Sequence, residues 1–221
     1  MSGASAPLSP PDVVALLRAA GCVFAEDEAD LLLAAARTPA ELADMVDRRV
    51  QGLPLEQILG WAEFRGLRIL VDPGVFVPRR RTELLVAQAI ALAPDATVVV
   101  DLCCGSGAVG AALLAALDGA EVHAADIDPA AVRCARRNVV GPRGHVYEGD
   151  LDAPLPVELH GRVDLLVANA PYVPTDEIRL MPPRRASTSR RPHSTAALTG
   201  STCTDASPRR LPGGWHPVAT C

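Results

Sequence analysis

The 221-residue chain contains no lysine, so its 21 basic residues are all arginine. Aromatic residues make up only 3% of it, which makes each flat ring a position to account for. Although 49% of the residues are hydrophobic, no uninterrupted apolar run reaches the roughly 18 to 20 residues that a membrane-spanning helix needs, and a soluble protein is expected. The opening MSGASAPLSPPD lacks a basic stretch followed by an apolar core. Neither a secretion nor a transit signal is therefore expected, and the expected location is cytoplasmic. The six cysteines, at 22, 103, 104, 134, 203 and 221, form no C-x-x-C pair and no Cys/His spacing suited to zinc. Free thiols, a reducing compartment and no metal site are the expectation. Acidic residues are nearly absent from the last part of the chain: residues 1–183 carry 15 arginines against 25 acidic residues, net −10, while residues 184–221 carry six arginines against Asp205 alone, net +5.

What is present reads as two units. Residues 1–50 predict short amphipathic helices, with Val13, Val14, Leu16 and Leu17 on the first, which Gly21 stops, and Leu31, Leu32 and Leu33 on the second. Thr38, Pro39 and Glu41 start the third as a capping box. Residues 51–81 read as a β-type connector, in which EFRGLRILVDPGVFVP alternates apolar and polar residues around Asp72-Pro73-Gly74, a turn signal that predicts a hairpin there. From 82 to 183 a helix over 82–93 leads into the β-branched strand TVVVDL (97–102). There follow a helix over 107–117, strand 121–125, helix 129–138, strand 145–148 and strand 162–169. That alternation predicts a doubly wound parallel α/β sheet behind a small helical domain. Residues 184–221 are rich in Ser, Thr, Arg and Pro without periodic apolar residues. They predict a disordered tail, either a natural basic one or, the reading favoured because acids and periodicity vanish inside an unfinished α/β unit, a shifted reading frame.

The segment DLCCGSGAVG (101–110) sets an acid at a strand's carboxyl end before glycines that open a helix, which is where such sheets bind ligands. Gly105 and Gly107 allow dihedrals that a side chain forbids and let a ligand lie on the backbone. The same letters spell G-x-G-x-x-G, so a dinucleotide cradle is equally compatible. Asp101 favours S-adenosyl-L-methionine, because a carboxylate there attracts the ammonium of an amino-acid cofactor and repels a pyrophosphate. Asp126 ends the next strand, where it can accept both ribose hydroxyls. Asp150 could accept from an adenine amine with Leu151 beside the ring; capping of following helices is the alternative for Asp150 and the preferred reading for Asp128. Adjacent Cys103 and Cys104 suit a disulfide poorly and read as small loop fillers. His123, inside a strand, reads as a satisfied core or edge residue.

VANAPYVP (167–174) ends the fourth strand on Asn169. If its side-chain oxygen and the Ala170 carbonyl each accept one N–H, a planar NH2 group is held with its lone pair toward a methyl donor. Pro171 keeps Ala170 extended, and Tyr172 offers a flat face for a planar substrate or, alternatively, packs into the core.

These residues resemble those of the HemK/PrmC family, S-adenosylmethionine-dependent methyltransferases acting on a glutamine of peptide chain release factors in translation termination. The resemblance runs from about Val13 to Pro183. The family's N-P-P-Y matches Asn169, Ala170, Pro171 and Tyr172. Its glycine loop matches DLCCGSG, with Cys103 where the family usually has Gly and with Cys104, Gly105, Ser106 and Gly107 completing the turn. Its ribose acid matches Asp126. The upstream block RRVQGLPLEQILGWAEFRGLRILVDPGVFVPRRRTELLV is similar to the family's linker and P-R-x-x-T-E segment, here Pro78, Arg79, Thr82 and Glu83. The resemblance implies a Rossmann-like methyltransferase sheet, S-adenosyl-L-methionine bound by Asp101, the 103–107 turn, Asp126, Asp150, Leu151 and Asn169, and catalysis by Asn169 and Tyr172. It also implies a release factor bearing Gly-Gly-Gln as partner, with Asn169 to Tyr172 binding it. Ala170 in place of proline keeps the carbonyl. The family's three further strands are not legible after Pro183, so the fourth strand is expected to be a bare edge. The alternatives are a nucleic-acid amino-group methyltransferase, against which the net −10 of residues 1–183 argues, and an inactive truncated remnant of the family.

Overall fold

A computed structural model describes residues 7–170 and the backbone of a strand at 216–219. The chain divides into two compact units, Met1–Trp61 and Ala62–Cys221.

The first unit is helical: α1 (Pro10–Ala19), α2 (Ala25–Ala35), α3 (Pro39–Val50) and the short α4 (Leu55–Leu59). Gly21, at φ +86°, ends the first helical turn region as its lack of a Cβ predicts. Thr38 caps α3 by accepting the Glu41 N–H at 3.1 Å; the Glu41 carboxylate reaches the Arg37 N–H at 2.9 Å, one residue before the box expected for it. Val13, Leu17, Leu32, Leu42, Met45 and Val46 form the buried core. Arg49 on α3 clasps Glu28 on α2 with two bonds, Nε at 2.5 Å and Nη2 at 3.0 Å, a planar fork matched to a carboxylate. The α4 turn lies in the stretch expected to be β, because a window of five residues is too short for its helical period to show.

A two-stranded hairpin, β1 (Trp61–Phe64) and β2 (Leu67–Leu70), starts at the last residue of the first unit and opens the second. Its reversal is at Arg65-Gly66, both at positive φ (+50° and +75°), and not at Asp72-Pro73-Gly74 as expected. Two consecutive left-handed residues match the twist of the flanking strands. Asp72 to Val75 does form a turn, with Val75 N–H on the Asp72 carbonyl at 3.0 Å and Gly74 at φ +81°, but it leads into non-strand chain.

The main sheet holds β3 (Val98–Leu102), β4 (Glu121–Asp126), β5 (Gly144–Glu148), β6 (Leu165–Ala168) and β7 (His216–Ala219) in the order β5-β4-β3-β6-β7. Its described strand pairings are all parallel, as the strand and helix alternation predicts. α5 (Glu83–Leu92), α6 (Ala108–Ala116) and α7 (Pro129–Asn138) supply the helices. α6 is almost wholly apolar and six of its nine residues are buried, as a helix without a polar face must be. Val99, Val122, Leu165 and Val167 pack with α5 and α6 on one face of the sheet, while Val98, Val100, Leu102 and Ala125 pack with Leu159 and Val163 on the other. Asp164 fastens the sheet at its amino end, accepting from Thr97 N–H and Oγ1 at 2.8 Å each and Val98 N–H at 3.0 Å.

Two expectations are corrected here. β6 is not a bare edge, and the segment after 183 does supply one strand: β7 pairs with β6 from Leu165↔His216 to Ala168↔Ala219. The outward N–H and C=O groups of β6 are a template for an extended segment, and Pro217 is tolerable in a strand that pairs on one side only among the described residues. The rest of the tail prediction lies outside the described residues. No helix among the described residues is long and apolar enough to cross a membrane.

Candidate functional site

β3 and β4 end side by side, and strand order reverses at β3, where the chain returns from β5 to build β6. A crevice outside the carboxyl ends of the strands follows from that reversal. The turn after β3 is unusual backbone: Cys103, Gly105 and Gly107 all have positive φ, at +55°, +56° and +76°. It is tied down by Cys104 N–H on the Ala125 carbonyl (3.1 Å), Gly107 N–H on the Cys104 carbonyl (2.8 Å) and Gly105 N–H on Asp126 Oδ2 (2.8 Å). A Cβ built on Gly105 meets nothing within 4 Å, so the turn faces open space there. Gly107 is different, because a Cβ would come within 3.0 Å of Ala135 Cβ and Val139 Cγ2. Its glycine is demanded by packing on α7 as well as by its φ.

Asp101 is 1% exposed and accepts the Gly110 N–H at 2.9 Å. That N–H is one of the helix-start donors of α6 that no helical carbonyl can satisfy. Burial pushes the Asp101 carboxyl up to about 7; the Gly110 N–H opposes the shift and the Asp126 charge adds to it. Gly110, the last glycine of the G-x-G-x-x-G spelling, is thus explained locally, since a Cβ there would lie 3.1 Å from Asp101 Oδ2 and 3.3 Å from Val122. A carboxylate has about four lone-pair positions, so one N–H leaves Asp101 able to take an ammonium.

Asp126 is half-buried, with Gly105 N–H on one oxygen and Asp128 N–H on the other at 2.9 Å. Asp128 caps α7 as preferred, accepting the Ala130 N–H at 2.8 Å. Asp150 is exposed and heads a turn, Ala153 N–H to its carbonyl at 3.0 Å; no helix starts there. Leu151 stands at φ +47° with 45% of its surface exposed, and Ile127, beside Asp126, is 43% exposed. Ile127 escaped the sequence reading because an apolar residue after a strand looks like core.

Ser106 is 3% exposed, and its carbonyl accepts from Asn138 Nδ2 at 2.8 Å. Asn138, the last residue of α7, also exchanges two bonds with the backbone of Leu70 in the hairpin, Oδ1 from the N–H at 2.8 Å and Nδ2 to the carbonyl at 2.9 Å. From sequence it is only a helix stop. Cys103, Cys104 and Cys134 are free thiols. Burial, joined by the charges of Asp126, Asp101 and Asp150, pushes Cys103 up to about 11, and burial with the Asp101 charge raises Cys104 further. Both stay protonated at neutral pH and are not nucleophiles.

Register places Asp101 beside Val167 and Leu102 beside Ala168, so Asn169 stands one step past the pairing, level with Cys103 and two residues beyond Asp101. Asn169 is half-buried and Ala170 exposed. Pro171 and Tyr172 lie outside the described residues. His123 departs from expectation: its Nδ1 meets the Tyr147 hydroxyl at 3.0 Å, but its Nε2 is buried with no hydrogen-bond partner among the described residues. A strand supplies no backbone donor or acceptor to an imidazole projecting from its face.

A family model described as methyltransferase small domain matches residues 66–181. Among curated proteins, a release factor glutamine methyltransferase of Geobacter sulfurreducens is 38% identical over 191 residues, covering 80% of this chain and 65% of that protein. One of Bifidobacterium longum is 33% identical, covering 75% and 68%. A 4-amino-L-phenylalanine/4-methylamino-L-phenylalanine methyltransferase of Streptomyces pristinaespiralis is 39% identical, covering 72% and 56%. The chain thus spans between about half and two thirds of the length of these relatives.

Proposed function

Because this chain belongs to the HemK/PrmC family and carries its methyltransferase small domain, we propose that it binds S-adenosyl-L-methionine and methylates the side-chain nitrogen of a glutamine in a peptide chain release factor. One observation carries the reading: a glycine turn locked to Asp126 and the strand end bearing Asn169 meet at one sheet edge. The cofactor's ammonium would sit on Asp101, its ribose hydroxyls on Asp126, and its adenine at Asp150 between Leu151 and Ile127. Cys103, Cys104, Gly105, Ser106 and Gly107 would lie along it. The residues fit that group, since the space over Gly105 is open and each Asp126 oxygen is held by one N–H with lone pairs to spare.

When bound, the cofactor supplies a methyl carbon whose bond to sulfur breaks as the bond to nitrogen forms, the electron pair staying on sulfur as a thioether. Asn169 Oδ1 and the Ala170 carbonyl each accept one amide N–H, which turns the nitrogen lone pair out of conjugation and toward the methyl. The same two dipoles stabilise the positive charge that grows on nitrogen, and the methylated nitrogen then releases one proton to water. By the family resemblance, Pro171 would keep Ala170 extended and Tyr172 would offer its ring to the planar amide. We assign residues 1–50 to recognition of the release factor, 51–81 to a linker and 82–183 to the methyltransferase domain. We place the protein in the cytoplasm, where reduction suits free thiols.

The assay is transfer of labelled methyl to a release factor bearing Gly-Gly-Gln, beside its Gln-to-Ala variant, transfer RNA and 4-amino-L-phenylalanine. Label confined to the glutamine supports the reading. Label only in RNA or only on the aromatic amine replaces it with that substrate, the latter the more pertinent rival given the Streptomyces relative.

A further inference from the structure

We propose that Glu121, His123 and His145 form a site for a borderline divalent metal ion, with zinc the best match, at the amino-terminal ends of β4 and β5. This end of the sheet is away from the glycine turn, and the inference is independent of the function proposed above. Residues 121 and 123 alternate on β4, and His123 pairs directly with His145 on β5, so all three share one face. Their ligand atoms lie within 4.8 Å of one another. The His123 and His145 rings stack, with centroids 4.8 Å apart and 20° between planes.

The second observation is the orphaned nitrogen. The His123 side chain is 6% exposed, its Nε2 has no hydrogen-bond partner among the described residues, and it faces Glu121 Oε2 at 3.8 Å. The Tyr147 hydroxyl, 3.0 Å from Nδ1, can accept the proton there. With that hydroxyl accepting, Nε2 carries the lone pair, the arrangement by which an outer partner orients a metal-bound histidine. Two imidazoles and a carboxylate are a recurrent three-residue zinc set that leaves a fourth position for water. With bonds of about 2.1 Å, two zinc ligands stand roughly 3.4 Å apart, so closure asks for movements of about 1 Å. Glu121 is half exposed and His145 partly so, leaving both free to make them. The bound ion would clamp β5, the outermost strand on this side, to β4.

Isothermal titration of the chelator-treated full chain with zinc sulfate tests this, with cobalt(II) absorption as a second readout. One ion per chain is expected, with binding weakened at least tenfold in Glu121→Gln and His145→Gln and about tenfold in Tyr147→Phe. The two surface variants keep the test valid if His123→Ala does not fold. Absence of binding, equal binding by the variants, or a thiolate-to-cobalt charge-transfer band, which would place the ion on cysteines, overturns the proposal.

Discussion

At Cys103 a β-carbon-bearing residue occupies left-handed backbone at φ +55°, a conformation costing about 1–2 kcal/mol for L side chains. Replacing it with Gly relieves that strain but adds unfolded-state freedom of roughly 0.5–1 kcal/mol. Cys103→Gly should therefore stabilise the protein by about 0.5–1 kcal/mol, read as an upward shift in a urea midpoint at unchanged slope. Asp101 makes a pH prediction. Its folded-state carboxyl lies near 7 against an ordinary value of 3.8, so the fold binds more protons than the unfolded chain between those values. Its contribution to stability is fully present below the ordinary value and is lost as pH rises toward 7. An ammonium ligand needs the ionised form, so affinity for S-adenosyl-L-methionine should rise as pH increases through about 7 in calorimetric titrations. 5′-Methylthioadenosine, which lacks the ammonium, should show no such rise, and Asp101→Asn should flatten it.

Asn138 acts between elements. Three bonds tie the end of α7 to the Leu70 backbone and to the Ser106 carbonyl, holding the glycine turn against the hairpin. Arg137 adds an ion pair to Asp72 at 2.5 Å. Asn138→Ala takes the side-chain partner from the part-buried Leu70 N–H and Ser106 carbonyl, while the Leu70 carbonyl keeps Cys134 Sγ, and should cost about 1–3 kcal/mol in unfolding free energy. If the turn is the cofactor's seat, it should also weaken cofactor binding; Asn138→Asp, which keeps only the acceptor, should recover part of the stability and less of the affinity. The strands, α5 to α7 and the site acids were legible because β-branched runs, capping residues and an acid before glycines each encode a local physical cause. The hairpin reversal was not, since Asp-Pro-Gly outweighs Arg-Gly on local turn chemistry and tertiary packing of Phe64 and Ile69 decided the register. Asn138 and the His123 cluster were illegible for another reason, as their partners lie 68, 32 and about 22 positions away and no spacing rule reaches that far.

Across the molecule, the charge divides an acidic first 183 residues from a basic remainder. An acidic body neutralises few phosphates, so cofactor-dependent methyl transfer should lack the steep loss with salt that nucleic-acid binding shows. The central claim is that Asn169 works on the nucleophile while the β3 and β4 strand ends hold the cofactor. It is tested most directly by pairing calorimetry with turnover on the full chain. S-adenosyl-L-methionine should bind one to one in wild type and in Asn169→Ala within a few-fold, with turnover lost in Asn169→Ala and binding lost in Asp126→Ala. Heat with NAD but none with S-adenosyl-L-methionine, or full turnover by Asn169→Ala, would contradict the account.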